Sequence, residues 1–448
     1  MKGYEEILSE LFVRFPSVQN AGFGTGAYKP GLGHMLSFDK MLGEPSHAFR
    51  TIHVAGTNGK GSVSSMLASA LAATGLKVGL YTSPHLLDFR ERMRIVSNDG
   101  VDMISKEDVL SFVGQWSTAF DSLSLSFFEI TTGMAFWWFA RKKVDIAVIE
   151  VGLGGRLDST NIITPELSVI TSIGLDHCAM LGSTRAAIAG EKAGIFKPGV
   201  PAVIGIRDDE TAPVFAKMAQ DAGCPIIFAD QAASWSERSG LEGSSMLSDI
   251  LSEMDLRGEY QAINLRTTIA ALKAMGISAD RDALIHTAKR TGFRGRWEKL
   301  MEAPDMICDI GHNPPALRWN FAQLREDLAA GKHSDLIIVY GVMADKDLDG
   351  IMPLMPEDAT WIYTTPDTPR ALPSEKILEK CRRHYEEQGL DTSRLHSASS
   401  VREALGMALE TARPESLIYV GGSTFVVADA MKCEDLLKKQ PEYLQNKK

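Results

Sequence analysis

Cysteine is scarce in this sequence and never falls at a paired spacing. Cys178, Cys224, Cys308, Cys381 and Cys433 stand singly in 448 residues. That pattern provides neither a disulfide framework nor a cysteine zinc site, and it fits a reducing compartment. Basic excess is also missing: 47 Lys and Arg face 57 Asp and Glu, a formal charge of −10. A general nucleic-acid surface is thereby disfavoured, although a local basic pocket for phosphates is not. Long apolar runs are absent too. The most apolar stretch, Phe127 to Ala140, carries Glu129 and two threonines and is too short to span a bilayer. The N-terminus turns acidic at Glu5 and Glu6 without a signal-like apolar run. The expectation is a cytoplasmic protein with no membrane and no nucleic-acid partner. No fixed-period repeat and no low-complexity segment is found.

What is present is an alternation of short β-branched runs with helical stretches. A chain of this length exceeds one comfortable core, so two or more domains are expected. Thr51–Ala55, Val78–Tyr81, Ile146–Val151, Leu167–Ile173 and Ala202–Ile204 read as strands, with a helix over Val63–Ala73. This alternation predicts a mainly parallel α/β sheet. Ala232–Ser248, rich in Ser, Glu and Gly, reads as an insertion. Helical patterns return at Glu259–Met275 and Asp280–Arg290. Thr291–Gly295 reads as a linker, followed by a second α/β cycle with strands near Met306–Ile310, Leu336–Gly341, Trp361–Thr364 and Leu417–Val420. The expected architecture is a larger α/β domain over 1–293 and a smaller Rossmann-like domain over 294–448.

Gly56-Thr57-Asn58-Gly59-Lys60-Gly61-Ser62 lies between a strand and a helix. Glycines let backbone N–H groups approach phosphate oxygens, and a helix N-terminus favours negative charge. Lys60 can reach the outer phosphates, and the Ser62 hydroxyl can meet a metal ion. The eight-residue Walker pattern is not met, because Val54 holds its first glycine position and Gly61 separates Lys60 from Ser62. The plain alternative is a flexible turn with one exposed lysine. Gly22-Phe23-Gly24-Thr25-Gly26-Ala27 formally fits a dinucleotide fingerprint, but no strand precedes it and Pro30 follows, so it reads as a loop.

Glu150 ends a strand just before the turn Gly152–Gly155. Ser83 and Asp176-His177 also follow strands, where ligands gather in open α/β sheets. Oxygen ligands beside a phosphate suit Mg²⁺. Taken singly, each of these residues reads equally well as a salt-bridge partner or surface group.

These strings together resemble a known family. His53–Ser62 is similar to the ATP loop of folylpolyglutamate synthases and dihydrofolate synthases in the Mur ligase superfamily. Tyr81–His85, Glu150–Asn161, Leu175–His177 and Glu191–Phe196 match as well. So do Gly295-Arg296, Asp309–Pro314, Gly341–Asp347 and Pro369-Arg370 beyond the linker.

The resemblance implies an enzyme that joins a pteroate or folate carboxylate to L-glutamate through an acyl phosphate. Its substrates are ATP, L-glutamate, dihydropteroate and reduced folates, and its cofactor Mg²⁺, two ions in number. By resemblance, Lys60, Glu150, His177 and Lys192 are catalytic, and Ser83, Glu150 and His177 hold metal. Thr57, Asn58, Gly59, Lys60, Gly61, Ser62, Asn264, Arg296, Asp309 and His312 bind ATP, with Asn264 on adenine. Gly31, Leu32, Phe127, Phe128, Glu129, Leu157, Asp158 and Ser159 face the folate. Lys192 resembles a lysine carbamylated by CO₂, which turns a cation into a carboxylate-like metal ligand. A monomer is expected.

Two departures stand out. Gly33-His34 follow the N-terminal folate loop where charged residues are common, and Arg294 precedes Gly295 where proline is frequent. Rivals are a monofunctional folylpolyglutamate synthase, a peptidoglycan-type ligase, a GTPase-like switch and a nucleotide-binding regulator that has lost catalysis. Only about fifty residues precede the loop, too few for a nucleotide-sugar domain. No Asn-Lys-x-Asp guanine motif occurs. Retention of Lys60, Glu150, His177 and Lys192 argues against lost catalysis.

Overall fold

A computed structural model describes residues 3–17, 22, 29–231 and 245–438. Phe23–Ala27 of the fingerprint-like loop and most of the Ala232–Ser248 insertion lie outside the described residues. The chain divides into two compact units. One comprises Met1–Leu256 with Tyr260–Phe293; the other comprises Arg257–Glu259 with Arg294–Lys448.

The first unit is built on an eight-stranded sheet. In chain order the strands are β1 (Arg50–Ala55), β2 (Val78–Tyr81), β3 (Met93–Ser97), β4 (Gly100–Met103), β5 (Ile146–Glu150), β6 (Leu167–Ile170), β7 (Ala202–Ile204) and β8 (Ile226–Phe228). Their spatial order is β4-β3-β2-β5-β1-β6-β7-β8. β3 pairs antiparallel with both β2 and β4, and the other pairs are parallel. β1 sits between β5 and β6, with Val54 opposite Glu150. The chain leaves β1 towards β2 on one side and leaves β5 towards β6 on the other. The carboxyl ends of β1 and β5 therefore flank the crevice where a doubly wound sheet receives a ligand.

Both faces of this sheet are covered. Along β5, Ile146 and Val148 join one apolar cluster while Ala147 and Ile149 join the other, the period-two alternation of a strand buried on both sides. Helix Lys60–Ala73 is buried at every position from Gly61 to Ala72, which explains why its apolar residues show no single stripe. It starts three residues before the apolar periodicity suggests, because Gly59 serves as its N-cap in the left-handed region. The apolar stretch noted in the sequence is likewise an interior helix, Phe127–Lys142, buried at every position from Glu129 to Phe139. The expected helix at Asp280–Arg290 is two short ones, Arg281–Ile285 and Thr287–Thr291, interrupted at His286.

The second unit has a six-stranded sheet ordered β13-β12-β11-β14-β10-β9. Its strands are β9 (Glu298–Glu302), β10 (Asp305–Asp309), β11 (Leu336–Tyr340), β12 (Thr360–Thr364), β13 (Leu395–Ala398) and β14 (Leu417–Gly421). Only β9 runs antiparallel to its neighbour. Large side chains fill this core, with Trp361 stacked on Tyr363 at 5.8 Å between ring centroids. The two units together make a two-domain, mainly parallel α/β protein. No described helix is long and apolar enough to cross a membrane.

Candidate active site

The loop after β1 is laced to the segment after β6. Thr57 donates its N–H to Ser172 O at 2.7 Å, and its hydroxyl bridges the Gly174 backbone. Thr171 and Ser172 hydroxyls both donate to Asn58 O, at 2.6 and 3.0 Å. Three glycines are demanded by close packing. A Cβ at Gly56 would lie 1.9 Å from Thr171 Oγ1, one at Gly59 2.3 Å from Asn264 Oδ1, and one at Gly61 2.7 Å from the Phe293 ring. Gly56 and Gly59 also have φ of +151° and +86°. No side chain caps the helix that begins at Lys60. Its first N–H groups thus remain available to an anion.

Lys60 curls over the loop, donating to Gly56 O at 3.0 Å and Thr57 O at 3.3 Å. Lys192, on helix Arg185–Ala193, is buried and donates to the same Gly56 oxygen at 2.9 Å. Burial first, and the neighbouring Lys60 charge second, bring the Lys192 ammonium down from its ordinary value to about 7. The glycine turn after β5 holds that helix close. Arg156 donates its N–H to Glu191 O at 2.8 Å, and a Cβ on Gly155 would stand 2.7 Å from Lys192 O.

Glu150 is buried at the end of β5, and its Oε2 accepts the Ser83 N–H at 3.2 Å. A Cβ at Gly61 would sit 3.6 Å from the same oxygen, so the carboxylate borders the start of the phosphate helix. Ser83 and Glu150 are thus brought together. His177 takes a left-handed backbone, φ +53°, as N-cap of a short helix. Its N–H reaches Asp176 Oδ1 at 2.9 Å and its imidazole lies 3.8 Å from Asp176 Oδ2. A buried carboxylate with a serine beside it is a hard-oxygen donor set of the kind Mg²⁺ prefers. Asn264 is committed to the phosphate loop, with Oδ1 at Gly59 and Nδ2 on Gln261 Oε1 at 2.8 Å. Gln261 in turn reaches Ser62 Oγ at 3.4 Å.

The residues expected at the folate fall into distinct environments. Phe127 is buried, stacked on Phe12 at 5.0 Å with the Arg92 guanidinium 5.4 Å over its ring. Phe128 is half-buried and packs on Gly152, where a Cβ would stand 2.4 Å from its ring. Glu129 closes a capping box with Ser126 through Oε2; Oε1 is buried with His34 Nδ1 3.8 Å away. Asp158 is buried and receives Leu153 N–H at 2.8 Å, Thr160 N–H at 3.0 Å and the Thr160 hydroxyl. Burial raises the Asp158 carboxyl while those hydrogen bonds oppose the rise. Ser159 is buried behind it, and Leu157 is half-buried. Gly31, with φ +126°, and Leu32 are half-buried and lead into helix Gly33–Met41.

In the second unit Asp309 is buried at the end of β10. It accepts from Trp297 N, Gly311 N and Asn320 Nδ2 at 3.0, 2.7 and 2.9 Å. Arg296 folds onto the Arg294 and Gly295 carbonyls at 3.3 and 3.2 Å, and His312 Nδ1 meets Ile310 O at 3.1 Å. Arg294 itself pairs with Glu298.

Reading motifs missed the residues that support the loop from a distance in sequence: Thr171, Gln261 and Phe293. A buried threonine, a glutamine and a phenylalanine carry no signature.

Two family models cover most of the chain: the Mur ligase middle domain matches residues 54–272, and the Mur ligase glutamate ligase domain matches residues 295–424. Dihydrofolate synthase/folylpolyglutamate synthase of Escherichia coli (strain K12) is 33% identical, over 85% of this chain and 86% of that one. The solved E. coli FolC in complex with DHPP and ADP superposes with a TM-score of 0.78 at 28% identity, covering 97% of this chain and 98% of that chain. The bifunctional enzyme from Yersinia pestis with AMPPNP and Mn ion gives 0.79 at 28% identity, covering 97% and 98%. This protein therefore belongs to the folylpolyglutamate synthase/dihydrofolate synthase family of Mur ligases.

Proposed function

We propose that this protein is an ATP-dependent ligase that joins L-glutamate to the carboxylate of a pteroate or folate, accepting both dihydropteroate and reduced folates. A carboxylate does not acylate an amine at neutral pH. Transfer of the γ-phosphoryl group of ATP to it gives an acyl phosphate and ADP. The amine of glutamate then displaces inorganic phosphate to form the amide. Lys60 and the loop N–H groups stabilise charge on the phosphoryl group in flight, and positioning supplies much of the remaining rate. Excluding water matters because hydrolysis would destroy the acyl phosphate. The relatives bound to ADP, or to AMPPNP with manganese, support a nucleotide and a divalent metal here.

The metal is Mg²⁺, and two ions are used. Ser83, Glu150 and His177 would hold one, supported by the Glu150–Ser83 contact beside the phosphate helix. A divalent ion held there would supply charge neutralisation for the phosphoryl group. Carbamylation of Lys192 would supply the carboxylate for the other. Addition to CO₂ requires a neutral amine, and burial prepares Lys192 for that. Thr57–Ser62, Asn264, Arg296, Asp309 and His312 serve ATP. Gly31, Leu32, Phe128, Leu157 and the turn braced by Asp158 and Ser159 serve the pterin, with Phe127 and Glu129 shaping the helix behind it. The protein acts as a monomer in the cytoplasm, in keeping with five free cysteines.

The observation that carries this reading is the convergence of Lys60 and Lys192 on one carbonyl of the phosphate loop. The test is ADP release by purified protein offered dihydropteroate or tetrahydrofolate with glutamate. Release that requires both a pterin and glutamate supports the ligase; release without them overturns it. Use of tetrahydrofolate alone selects the monofunctional reading.

A further inference from the structure

Among the buried titratable side chains outside the roles above, one reaches the turn after β5 through hydrogen bonds. His53, in the middle of β1, is wholly buried, and its Nε2 lies 2.8 Å from Thr160 Oγ1. The Thr160 hydroxyl hydrogen is already given to Asp158 Oδ1. Its oxygen must therefore accept, so His53 is the donor through Nε2–H, and Nδ1 carries no hydrogen. Among the described residues Nδ1 meets no donor. Burial, reinforced by the charge of Lys197, lowers this imidazole from its ordinary value to about 3. Burial thus favours the neutral imidazole, a hydrogen-bonding group rather than a charge.

The hydrogen-bond chain continues outward from Thr160. Asp158 uses its second oxygen to hold the Leu153 N–H at 2.8 Å. Leu153 and Gly152 follow Glu150 by three and two residues, and Gly152 is the surface on which the Phe128 ring rests. A string of polar contacts thus runs from the middle of the sheet to the turn that seats Phe128. An apolar side chain at position 53 would leave no orphaned nitrogen. The cost of the buried Nδ1 points to a job that only a donor at the Nε2 position performs.

We propose that His53 is a positioning residue for the pterin substrate. Through Thr160 and Asp158 it fixes the Gly152–Leu153 backbone, and with it the seat of Phe128, in the geometry that receives the pterin. This rests on the pterin-ligase reading above.

The test uses the full chain with His53→Gln, His53→Asn, His53→Leu and Thr160→Val, and the His53→Leu/Thr160→Val double variant. A glutamine amide reaches as far as imidazole Nε2, whereas an asparagine amide reaches only as far as Nδ1. The expected result is a rise in KM for dihydropteroate of about tenfold in His53→Leu, the effect of one buried hydrogen bond. His53→Gln should recover most of it and His53→Asn should not. ADP affinity by calorimetry should stay near the wild-type value throughout. The double variant should be no worse than the more affected single one, since both cut the same chain of contacts.

An unchanged pterin KM in His53→Leu, equal behaviour of the Gln and Asn variants, or a parallel fall in ADP and pterin affinity would overturn the proposal. If His53→Leu does not fold, the comparison of the two amide variants decides alone. A wild-type protein that ligates no pterin defeats the functional reading itself. A wild-type enzyme active on pterin beside an unaffected His53→Leu defeats only this inference.

Discussion

Lys60 and Lys192 share one acceptor: both ammonium groups reach the Gly56 carbonyl oxygen, at 3.0 and 2.9 Å. Burial first, and repulsion between two cations at one carbonyl second, lower the proton affinity of Lys192. A difference in burial thus sets two chemically identical side chains apart, Lys192 being buried and Lys60 only partly so.

Lys60→Ala should abolish ligation while leaving the fold intact, because the side chain contacts only loop carbonyls. Turnover with each pterin and far-ultraviolet circular dichroism provide the check. Near-normal turnover with an unchanged spectrum rules out the phosphate-loop role.

Lys192 predicts a pH dependence of definite sign. The unfolded lysine stays protonated up to about 10.5, the folded one only to about 7. Between those values the unfolded chain binds more protons, so unfolding free energy should rise with pH across the window. Denaturant titrations of bicarbonate-free protein at pH 7 and pH 9 should show that rise, and Lys192→Met should lose it. Bicarbonate labelled with ¹³C should give a carbamate signal that is stronger at pH 8 than at pH 6. Lys192→Ala should lose activity and regain part of it with acetate; the absence of both signal and rescue removes the carbamate from the mechanism.

Gly59→Ala should cost about 1–3 kcal/mol, since φ of +86° is strained for any side chain. The new methyl would also meet Asn264 Oδ1, which Gln261 holds in place through the same amide. A lower midpoint of thermal unfolding together with much weaker ADP binding is the expected pair of results. Weakened binding without any loss of stability would show that the glycine is needed for phosphate approach alone.

Asp158→Ala should reduce dihydropteroate use more than ADP binding, and should also lower stability. Its carboxylate meets Leu153 N, Thr160 N and the Thr160 hydroxyl, and each buried donor left unpaired costs about 1–3 kcal/mol. Thermal unfolding alongside KM for pterin separates the two effects. A variant with wild-type stability and a raised KM would mean that Asp158 meets the substrate rather than bracing the turn.

The strand that ends at Glu150, the glycine loop at Lys60 and the second α/β cycle beyond Phe293 were all legible in the sequence. Strand periodicity, glycine spacing and charged residues at strand ends are local signals, fixed by sterics and hydrogen bonding within a few residues. Their grouping with Lys192 became legible only as a resemblance, because no local rule joins position 60 to position 192.

Other assignments needed the folded chain. Phe127, Phe128 and Glu129 are consecutive, yet one ring is core, one rests on a glycine turn and one carboxylate caps its own helix. A helix spreads adjacent residues by about 100°, so neighbours in sequence face different surroundings. The lowered proton affinity of Lys192 and the donor role of His53 likewise depend on burial and on partners more than a hundred residues away in the chain. Sequence by itself determined which chemical groups this protein carries and where its strands deliver them. Tertiary structure alone decided which of those groups are desolvated, and desolvation sets their charge and their role.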